Sequence, residues 1–383
     1  TSGGIGGGRC GTFVHETQTR KARPGLRPPK RQELEVIMPT LRVASCNLEW
    51  MNDWFTSDSD PPAFKPTFVR DGQTNETATT AARVAALIRA IDPEILAVQE
   101  APSRPAEMDL FIRDYLSDAG TPRYRFFLGD SGAAQKLALL FKPQAVSAAS
   151  LTPHAAIAGL IDPWLADVDG DLYLEEYAFT RTPLVVDLAV GGHALQLLVM
   201  HTKSSFVNNG QWMWTDPTRR QEYVALALTA RRRNATEGMR VRDYLDARLR
   251  ADPETLILVL GDLNDGPGLD YFERNYLAHN VTDILVGSAF APEWIFGHAQ
   301  HDVPAVRRYT AVFDDFVENV PRRPLLLDHV LFSPGLTGAN DLRKVQGSGT
   351  IHHAEYEAQV FNGGARREDR PSDHRPVSVV LTY

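Results

Sequence analysis

A short run of chemically capable residues follows the apolar segment 256–260, which reads Leu-Ile-Leu-Val-Leu. Gly261 ends that segment, and Asp262, Asn264 and Asp265 follow directly. A run of apolar residues this short is typical of a strand buried on both faces rather than of a helix. Open α/β sheets present their chemistry at the carboxyl ends of such strands. Taken alone, however, the stretch is explained more simply as a strand that leads into a polar turn.

Polar residues also stand at the ends of other predicted strands. In chain order these residues are Asn47 with Glu49 just beyond it, Glu100, His201, Asp328, and Asp373 with His374. Asp328 lies within the apolar segment 325–332, where a carboxylate is costly unless it is paired with a cation or a histidine. Caps and turns can explain each residue separately, but one site explains them together.

The strand ends, taken in this order, resemble the motifs of the endonuclease/exonuclease/phosphatase superfamily. The most specific pieces are Gly-Asp-Leu-Asn-Asp at 261–265 and Ser-Asp-His-Arg-Pro-Val at 372–377, followed by Ile-Leu-Ala-Val-Gln-Glu at 95–100. The resemblance spans roughly residues 41–383. Because this superfamily includes nucleases, sphingomyelinases and inositol-polyphosphate phosphatases, the resemblance implies an enzyme that hydrolyses phosphoesters.

The resemblance also implies a divalent metal ion as cofactor. Glu100 and Asp373 provide the hard oxygen ligands that suit Mg²⁺ or Mn²⁺, and the resemblance makes Glu100 the principal ligand. Glu49 stands where some members of the superfamily have an additional acidic ligand, although those members have aspartate there. Zinc is not expected, because no set of cysteines or several histidines accompanies these carboxylates.

The remaining strand-end residues match the groups that act on the substrate. Hydrolysis of a phosphodiester requires a water aligned with the leaving oxygen and stabilisation of the developing charge. The resemblance implies that Asp262 orients or deprotonates this water. It implies that Asn47 and Asn264 hold phosphate oxygens or the nucleophile.

The two histidines are matched to electrostatic roles. The resemblance implies that His201 and His374 donate to the phosphoryl oxygens. Asp328 would hold His374 in its working tautomer and keep it protonated.

Four further residues are candidates for substrate binding. Arg181 precedes the strand pair that leads to His201, as a phosphate-binding arginine does in the deoxyribonuclease-like branch, but a surface ion pair explains it equally well. Lys203 matches the lysine of a His-Leu-Lys-Ser pattern in the nuclease-like bacterial branch, although threonine replaces the leucine here. Trp212 and Trp214 are either core anchors or part of a rim loop that stacks bases.

Secondary structure is predicted from hydrophobic periodicity. Strands are expected at 41–47, 94–100, 124–128, 137–141, 184–190, 194–201, 256–260 and 325–332, with a closing strand after 374. Helices are expected at 79–90, 107–116, 269–277 and 219–249, the last with a possible break near Gly238. Segments 147–176 and 206–218 are expected to be loops.

The order of these elements predicts mixed rather than purely parallel sheets. With the resemblance, the expected fold class is α/β: two mixed β-sheets packed face to face with helices outside, a four-layer α/β/β/α sandwich. The site is expected where the strand ends converge at one rim.

Length and composition indicate how the chain is divided into domains. The 383 residues, 43% of them hydrophobic, suffice for a large core. We expect residues 1–37 to be a disordered leader or a cloning-derived segment, since they are rich in Gly, Pro, Arg and Lys, and residues 38–383 to be a single domain. With two cysteines and no apolar signal segment, a cytoplasmic location is expected.

The net charge and the hydropathy of the chain limit the binding partners that can be expected. The net charge of −8 argues against binding nucleic acid through bulk positive charge, although it leaves cation-assisted binding open. No apolar run approaches the length of a membrane span, and no protein partner is implied. The histidines at 298, 301, 352 and 353 match no motif and receive no role.

The main functional hypothesis is therefore a metal-dependent phosphodiesterase of the nuclease type, acting on nucleic acid or a small diester. One alternative keeps the fold and changes the substrate, giving a phosphatase or a sphingomyelinase-like phospholipid phosphodiesterase. Another is a binding module without catalysis, which the intact set of acids and histidines disfavours. Fold alone does not decide among these alternatives.

Overall fold

The structure is a computed structural model that describes residues 38–56, 59–131, 134–267, 270–338 and 340–383. The predicted leader, residues 1–37, lies outside the described residues. Residues 38–383 form one compact unit. Among the described residues, no helix is both long enough and apolar enough to cross a membrane.

The strands of the described residues are short to medium in length. They are β1 (Thr40–Asn47), β2 (Thr67–Arg70), β3 (Gln73–Glu76), β4 (Ile95–Ala101), β5 (Ser117–Asp118), β6 (Thr121–Pro122), β7 (Arg125–Leu128), β8 (Lys136–Phe141), β9 (Ala148–Leu151), β10 (Trp164–Ala166), β11 (Glu175–Tyr177), β12 (Leu184–Val190), β13 (His193–His201), β14 (Ile257–Asp262), β15 (Gly297–His298), β16 (Ala311–Asp315), β17 (Val320–Leu325), β18 (Asp328–Phe332), β19 (Arg343–Lys344), β20 (Thr350–Ile351) and β21 (Val377–Thr382).

The helices flank these strands in the chain. They are α1 (Thr77–Ile91), α2 (Pro105–Tyr115), α3 (His154–Ile161), α4 (Gly210–Thr215), α5 (Arg220–Ala251), α6 (Val281–Val286) and α7 (His353–Glu357). A π-helical turn, Glu273–Leu277, lies between β14 and α6, within the segment 269–277 that was predicted to be helical.

Two mixed sheets carry the fold. Sheet A has the order β19-β21-β1-β4-β8-β7, with β20 also pairing with β21. Sheet B has the order β15-β18-β14-β13-β12-β9. Each sheet contains one parallel pair, β1 with β4 and β13 with β14, and its other pairs are antiparallel. The prediction of mixed sheets is confirmed.

Three apolar layers hold the sheets and helices together. The inner faces of both sheets form one buried cluster, which includes Leu41, Val43, Leu197 and Leu258. The outer face of sheet A packs against α1 and α2, and the outer face of sheet B packs against α3, α5 and α6. Because β14 is covered on both faces, its apolar run is continuous rather than alternating. The four-layer sandwich is confirmed.

Strand direction explains why the polar strand ends meet. Parallel pairing of β13 with β14 places His201 beside Asp262. Since β18 runs antiparallel to β14, its first residue, Asp328, lies opposite Asp262. In sheet A, parallel pairing places the end of β1 beside the end of β4. Because β21 runs antiparallel to β1, the segment that precedes β21 lies at the same edge.

Several local predictions were wrong. Segment 147–176 is not simply a loop, because it contributes the edge strand β9 to sheet B, then α3 and the β10–β11 hairpin. Helix α5 runs without a break through Gly238, where an added Cβ would lie 3.0 Å from a methyl group of Val281, so the glycine allows α6 to pack closely. Segment 206–218 contains α4. Asp328 begins its strand rather than lying inside it.

Candidate active site

Asn47 joins the two sheets at the rim where the strand ends meet. Its side-chain Nδ2 donates to Asp262 Oδ2 at 3.0 Å and to Glu100 Oε1 at 3.3 Å. Its Oδ1 accepts from the backbone N–H of Glu49 at 2.9 Å. Asn47 is buried, so these bonds fix both carboxylates relative to each other without competition from bulk water.

Glu100 is held in a strained backbone conformation at the end of β4. Its φ is 58°, in the left-handed region that non-glycine residues seldom adopt, and the β4–β8 register shifts between Val98 and Ala101. The backbone N–H of Trp50 donates to Glu100 Oε2 at 2.7 Å. The bulge and these hydrogen bonds together aim the carboxylate across the rim rather than along the sheet face.

Glu100 and Asp373 fit a divalent cation. Burial, and then the charge of Asp373, raises the pKa of Glu100 to about 7. Among the described residues, neither carboxylate lies within ion-pair distance of a lysine or arginine. His201 lies 4.0 Å from Glu100, and His374 lies 4.0 Å from Asp373. Two mutually repelling oxygen donors without a strong cationic partner are the chemistry that Mg²⁺ or Mn²⁺ satisfies.

His374 and Asp328 form a buried pair. The imidazole Nδ1 lies 2.7 Å from Asp328 Oδ2, and Thr310 Oγ1 accepts from the backbone N–H of Asp328. Burial favours a lower pKa for His374, but the charges of Asp328, Asp262 and Asp373 raise that pKa well above its usual value. The pair therefore presents an imidazolium whose Nε2 lies 3.9 Å from Asp262 Oδ2.

Burial shifts both Asp262 and His201 towards their neutral forms. Burial raises the pKa of Asp262 to about 6, although the charge of His374 opposes that rise. Burial, followed by the charges of Arg181 and His374, holds the pKa of His201 well below its usual value. His201 is thus neutral at neutral pH, with Nε2 3.4 Å from Asp262 Oδ2. A neutral imidazole beside a carboxylate can donate a hydrogen bond without adding charge.

Asn264 supports Asp262 through the backbone. Its N–H donates to Asp262 Oδ1 at 2.8 Å, and its Nδ2 donates to the carbonyl of Thr202 at 3.1 Å. The residue adopts a φ of 50°, which asparagine tolerates better than most side chains. The turn after β14 is therefore tied both to the Asp262 carboxylate and to the end of β13.

Asp262, Asp328 and His374 also have donor atoms within 4.8 Å of one another, a spacing that could hold a metal ion. His374 Nδ1 is already engaged by Asp328 Oδ2, and its pKa is raised, so the imidazole carries a proton on each nitrogen. A protonated imidazole cannot ligate a metal. Glu100 and Asp373 are therefore the better metal ligands.

Arg181 and Lys203 both lie close to the rim. Arg181 donates to Gln135 Oε1 through Nε at 3.1 Å and to the Thr202 carbonyl through Nη1 at 3.2 Å. Its pKa is lowered by burial, against the raising charges of Glu100 and Asp262. Lys203 Nζ donates to the carbonyl of Ser204 at 2.9 Å. Both cations keep donors for an anionic substrate.

The two tryptophans lie in different surroundings. Trp214 packs edge-on against Tyr223, Tyr271 and Phe272, in a small apolar cluster outside the main core. Trp212 is 55% exposed, and the guanidinium of Arg219 lies 4.8 Å above its ring. Trp214 is positioned as a packing residue, whereas Trp212 is available to a ligand.

Glu49 is engaged by arginines rather than turned to the other carboxylates. Its carboxylate lies 3.2 Å from Arg367 Nε and 2.8 Å from Arg370 Nη2. Arg367 is fully buried and also donates to the Leu48 carbonyl. These contacts favour a structural role over the metal-ligand role that the sequence suggested.

Replacing Glu49 by Gln is expected to lower the free energy of unfolding by roughly 3 kcal/mol, because Arg367 would remain buried without a counter-charge. The Mg²⁺ concentration for half-maximal activity should change by less than about 3-fold. Urea unfolding and a Mg²⁺ titration check both values, with Glu222→Gln as an exposed control. A rise of about 10-fold or more in the Mg²⁺ requirement, without loss of stability, would restore Glu49 as a ligand.

Sequence reasoning missed three supporting residues. Glu237, buried on α5, accepts from the N–H groups of Thr180 and Lys203 and so fixes the segments after Phe179 and His201. The sequence pattern could have identified Glu237. It lies on the same helical face as the apolar residues 241 and 245, and such a face rarely includes an acidic residue. Gln135, which holds Arg181, and Thr310, which holds Asp328, lie too far away in sequence to be recognised.

The chain matches the model of the Endonuclease/Exonuclease/phosphatase family over residues 69–374. That range includes most of the strand-end residues described above and begins after Asn47 and Glu49. A comparison with curated protein sequences finds no match.

Solved structures that align with the chain share little sequence with it. A humanised TDP2 from D. rerio is 12% identical, with 90% of this chain and 99% of that chain covered and a TM-score of 0.46. An endonuclease/exonuclease/phosphatase from Bacteroides vulgatus is 12% identical, with 90% and 98% covered and a TM-score of 0.47. A mannosyl-6-phosphatase from Bacteroides thetaiotaomicron is 13% identical, with 90% and 100% covered and a TM-score of 0.45. By its family match, this chain belongs to the endonuclease/exonuclease/phosphatase family, whose members hydrolyse phosphoester bonds.

Proposed function

We propose that this protein is a divalent-metal-dependent phosphodiesterase that cleaves a phosphodiester by in-line attack of an activated water. The observation that carries this proposal is the pairing of a protonated His374 with Asp328, directly opposite the ionisable Asp262. A carboxylate beside an imidazolium can accept the proton of the attacking water while the imidazolium stabilises the charge on the phosphoryl oxygens. Glu100 and Asp373 lie at the same rim.

The chain's own residues account for proton transfer and charge stabilisation. Asp262, with a pKa raised to about 6 by burial, is mostly ionised at neutral pH and accepts the proton of the attacking water. His374 donates from Nε2 to a phosphoryl oxygen and stays protonated through Asp328. His201 and Asn47 supply neutral donors beside Asp262, and Arg181 adds a fixed positive charge.

The metal would be held by Glu100 and Asp373. When bound, Mg²⁺ or Mn²⁺ supplies Lewis-acid neutralisation of the phosphate charge. The chain orients the ligand set through Asn47 and Trp50, which donate to the Glu100 carboxylate at 3.3 and 2.7 Å.

We expect a bell-shaped dependence of kcat/KM on pH. Activity should rise through the pKa of Asp262, about 6, because the base must lose its proton, and fall above the raised pKa of His374, because the acid must keep one. Asp328→Asn removes the nearest charge that raises the pKa of His374, so the alkaline limb should move to lower pH. Rates on bis(p-nitrophenyl) phosphate from pH 5 to 10 measure both limbs. If the alkaline limb does not move in Asp328→Asn, that limb does not report the titration of His374.

Exposed aromatic side chains support the proposal that the substrate is a phosphodiester that carries nucleobases. Trp50, whose backbone N–H donates to Glu100, is 39% exposed, and the guanidinium of Arg70 lies 4.6 Å above its ring. Phe313, on the β16–β17 hairpin, is 41% exposed, and its ring centroid lies 6.3 Å from that of His374. Aromatic faces beside cations suit a single strand or a small nucleotide diester, each stacked base contributing roughly 1–3 kcal/mol.

A side-by-side substrate assay tests the diester assignment. With Mg²⁺ or Mn²⁺, we expect cleavage of single-stranded nucleic acid or small diesters to exceed cleavage of sphingomyelin, inositol phosphates and p-nitrophenyl phosphate. Trp50→Ala should raise KM for an oligonucleotide while leaving turnover of bis(p-nitrophenyl) phosphate within about 3-fold. Robust turnover of sphingomyelin or of a monoester, with nucleic acid and small diesters inert, would replace this function by the sphingomyelinase or phosphatase alternative.

A further inference from the structure

A small polar cavity lies behind the active-site turn, between α5 and the π-helical turn Glu273–Leu277. Its volume is about 10 Å³, which is close to the space that a single water molecule or ion requires. Asp265, Glu273 and Asn234 line it. Asp265 belongs to the same turn as Asp262 and Asn264, so the cavity and the active site share one loop.

Asn234 lines this cavity and carries a buried side-chain oxygen without a hydrogen-bond partner among the described residues. The residue is 1% exposed, and its Nδ2 donates to the backbone carbonyl of Leu263 at 3.1 Å. That bond fixes the orientation of the amide, since a carbonyl accepts only from the NH₂ side. The remaining Oδ1 is buried and has no hydrogen-bond partner among the described residues. A buried carbonyl oxygen of this kind requires a donor or a cation.

The two carboxylates beside Asn234 also have no counter-charge of their own. Arg231 lines the cavity, but its guanidinium is bound to Asp270 Oδ2, with Nε at 2.9 Å. Among the described residues, no ion pair involves Asp265 or Glu273. Burial, and then the charges of Asp265 and Asp270, raises the pKa of Glu273 to about 8. The cavity therefore brings two carboxyl groups together without a basic partner of their own, and their mutual repulsion favours the uptake of a proton or a cation.

Backbone N–H groups orient both carboxylates but do not neutralise their charge. The N–H groups of Gly266 and Val281 donate to the two oxygens of Asp265 at 2.8 and 2.7 Å. The N–H of Asp270 donates to Glu273 Oε2 at 2.8 Å. These bonds orient the oxygens, and each carboxylate oxygen retains a lone pair for a further partner.

We propose that this cavity binds one hard cation of the Ca²⁺ class, with Asp265, Glu273 and Asn234 Oδ1 as ligands. Two carboxylates and an amide oxygen are the donors that Ca²⁺ takes in proteins. Mg²⁺ fits this cavity less well than Ca²⁺ does, because Mg²⁺ keeps several bound waters and the cavity has room for only one ion or water molecule. The bound ion would stiffen the turn that carries Asp262 and Asn264. This site is separate from the catalytic metal and does not depend on the proposed function.

Equilibrium dialysis of the full-length protein against ⁴⁵Ca²⁺, with excess Mg²⁺ to saturate the catalytic ligands, tests the proposal. We expect the wild type to bind Ca²⁺ and Glu273→Gln to bind at least about 10-fold more weakly. Asn234→Leu should also lose affinity, whereas Asn234→Asp should gain it. Glu100→Gln, at the catalytic site, should retain the Ca²⁺ equivalent that depends on Glu273.

Two controls keep the result decisive. The acidic turn Asp167, Asp169 and Asp171 is another place where Ca²⁺ could bind, so Asp169→Asn serves as the matched variant. Thermal unfolding in chelator shows that Glu273→Gln folds, and there it should melt no lower than the wild type because the amide removes the repulsion between Glu273 and Asp265. Equal Ca²⁺ binding by the wild type and Glu273→Gln, or loss of all binding in Asp169→Asn, overturns the proposal.

Discussion

Asp262→Asn is expected to lower kcat on bis(p-nitrophenyl) phosphate by at least about 100-fold, since positioned proton-transfer groups contribute on that order. The amide keeps the shape of the side chain and one oxygen that can accept from the Asn264 N–H, but it cannot accept a proton from water. Its thermal midpoint should be nearly unchanged. Burial raises the pKa of Asp262, so the charge itself costs stability and its removal is tolerated.

His374 requires a more careful substitution. Alanine would leave Asp328, which is fully buried, without its partner, and the resulting loss of stability would obscure the kinetics. His374→Asn places an amide donor near the position of Nδ1, retains the contact with Asp328, and removes the titrating nitrogen that faces Asp262. We expect a loss in kcat of at least about 100-fold with a thermal midpoint close to that of the wild type.

A matched substitution at a surface histidine controls for nonspecific effects. His154 pairs with Asp162 on the exposed end of α3, so His154→Asn should leave kcat unchanged. Near-normal turnover in both Asp262→Asn and His374→Asn would mean that these residues are not the catalytic pair. Loss of turnover together with loss of folding in circular dichroism would mean that they act structurally.

The sequence predicted the rim well because its signals are local. An apolar run that opens into Asp262 and Asn264, or a Ser-Asp-His segment before a closing strand, needs only a few neighbouring residues to be recognised. Parallel and antiparallel pairing then brings the strand ends together without further information. The fold class and the family were therefore accessible before the structure.

What the sequence could not show depends on contacts between distant residues. The ion pair of Glu49 with Arg367 joins residues 318 positions apart, and nothing near Glu49 announces it. Strand β9 has four residues, three of them alanine or serine, so periodicity does not identify it. The exposed Trp212 and the packed Trp214 are two residues apart on one helical turn, and only tertiary contacts distinguish them.

The metal requirement is the second large effect that we expect. The charges of Glu100 and Asp373 repel each other across the rim, and among the described residues no arginine or lysine is paired with them. Without a divalent cation, the phosphate of the substrate would meet these negative charges directly. Because Lewis-acid neutralisation contributes several kcal/mol, its loss corresponds to at least about a 100-fold fall in rate.

Glu100→Gln is the matched variant for this effect. It keeps the length of the side chain and one oxygen that can accept from the Trp50 N–H, but it removes the charge of the proposed principal ligand. We expect the Mg²⁺ concentration for half-maximal activity to rise by at least about 10-fold, in the range that loss of one carboxylate ligand or its supporting contacts causes in metal sites. Glu49→Gln should not show this rise.

The most direct measurement is hydrolysis of bis(p-nitrophenyl) phosphate by the wild-type protein after exhaustive chelation and dialysis, before and after metal is restored. We predict that activity falls by at least about 100-fold on chelation, and that Mg²⁺ or Mn²⁺ restores it in the wild type but not in Asp262→Asn. Full activity in the chelated protein, or restoration that is equal in Asp262→Asn, would contradict a metal-dependent phosphodiesterase built on this rim.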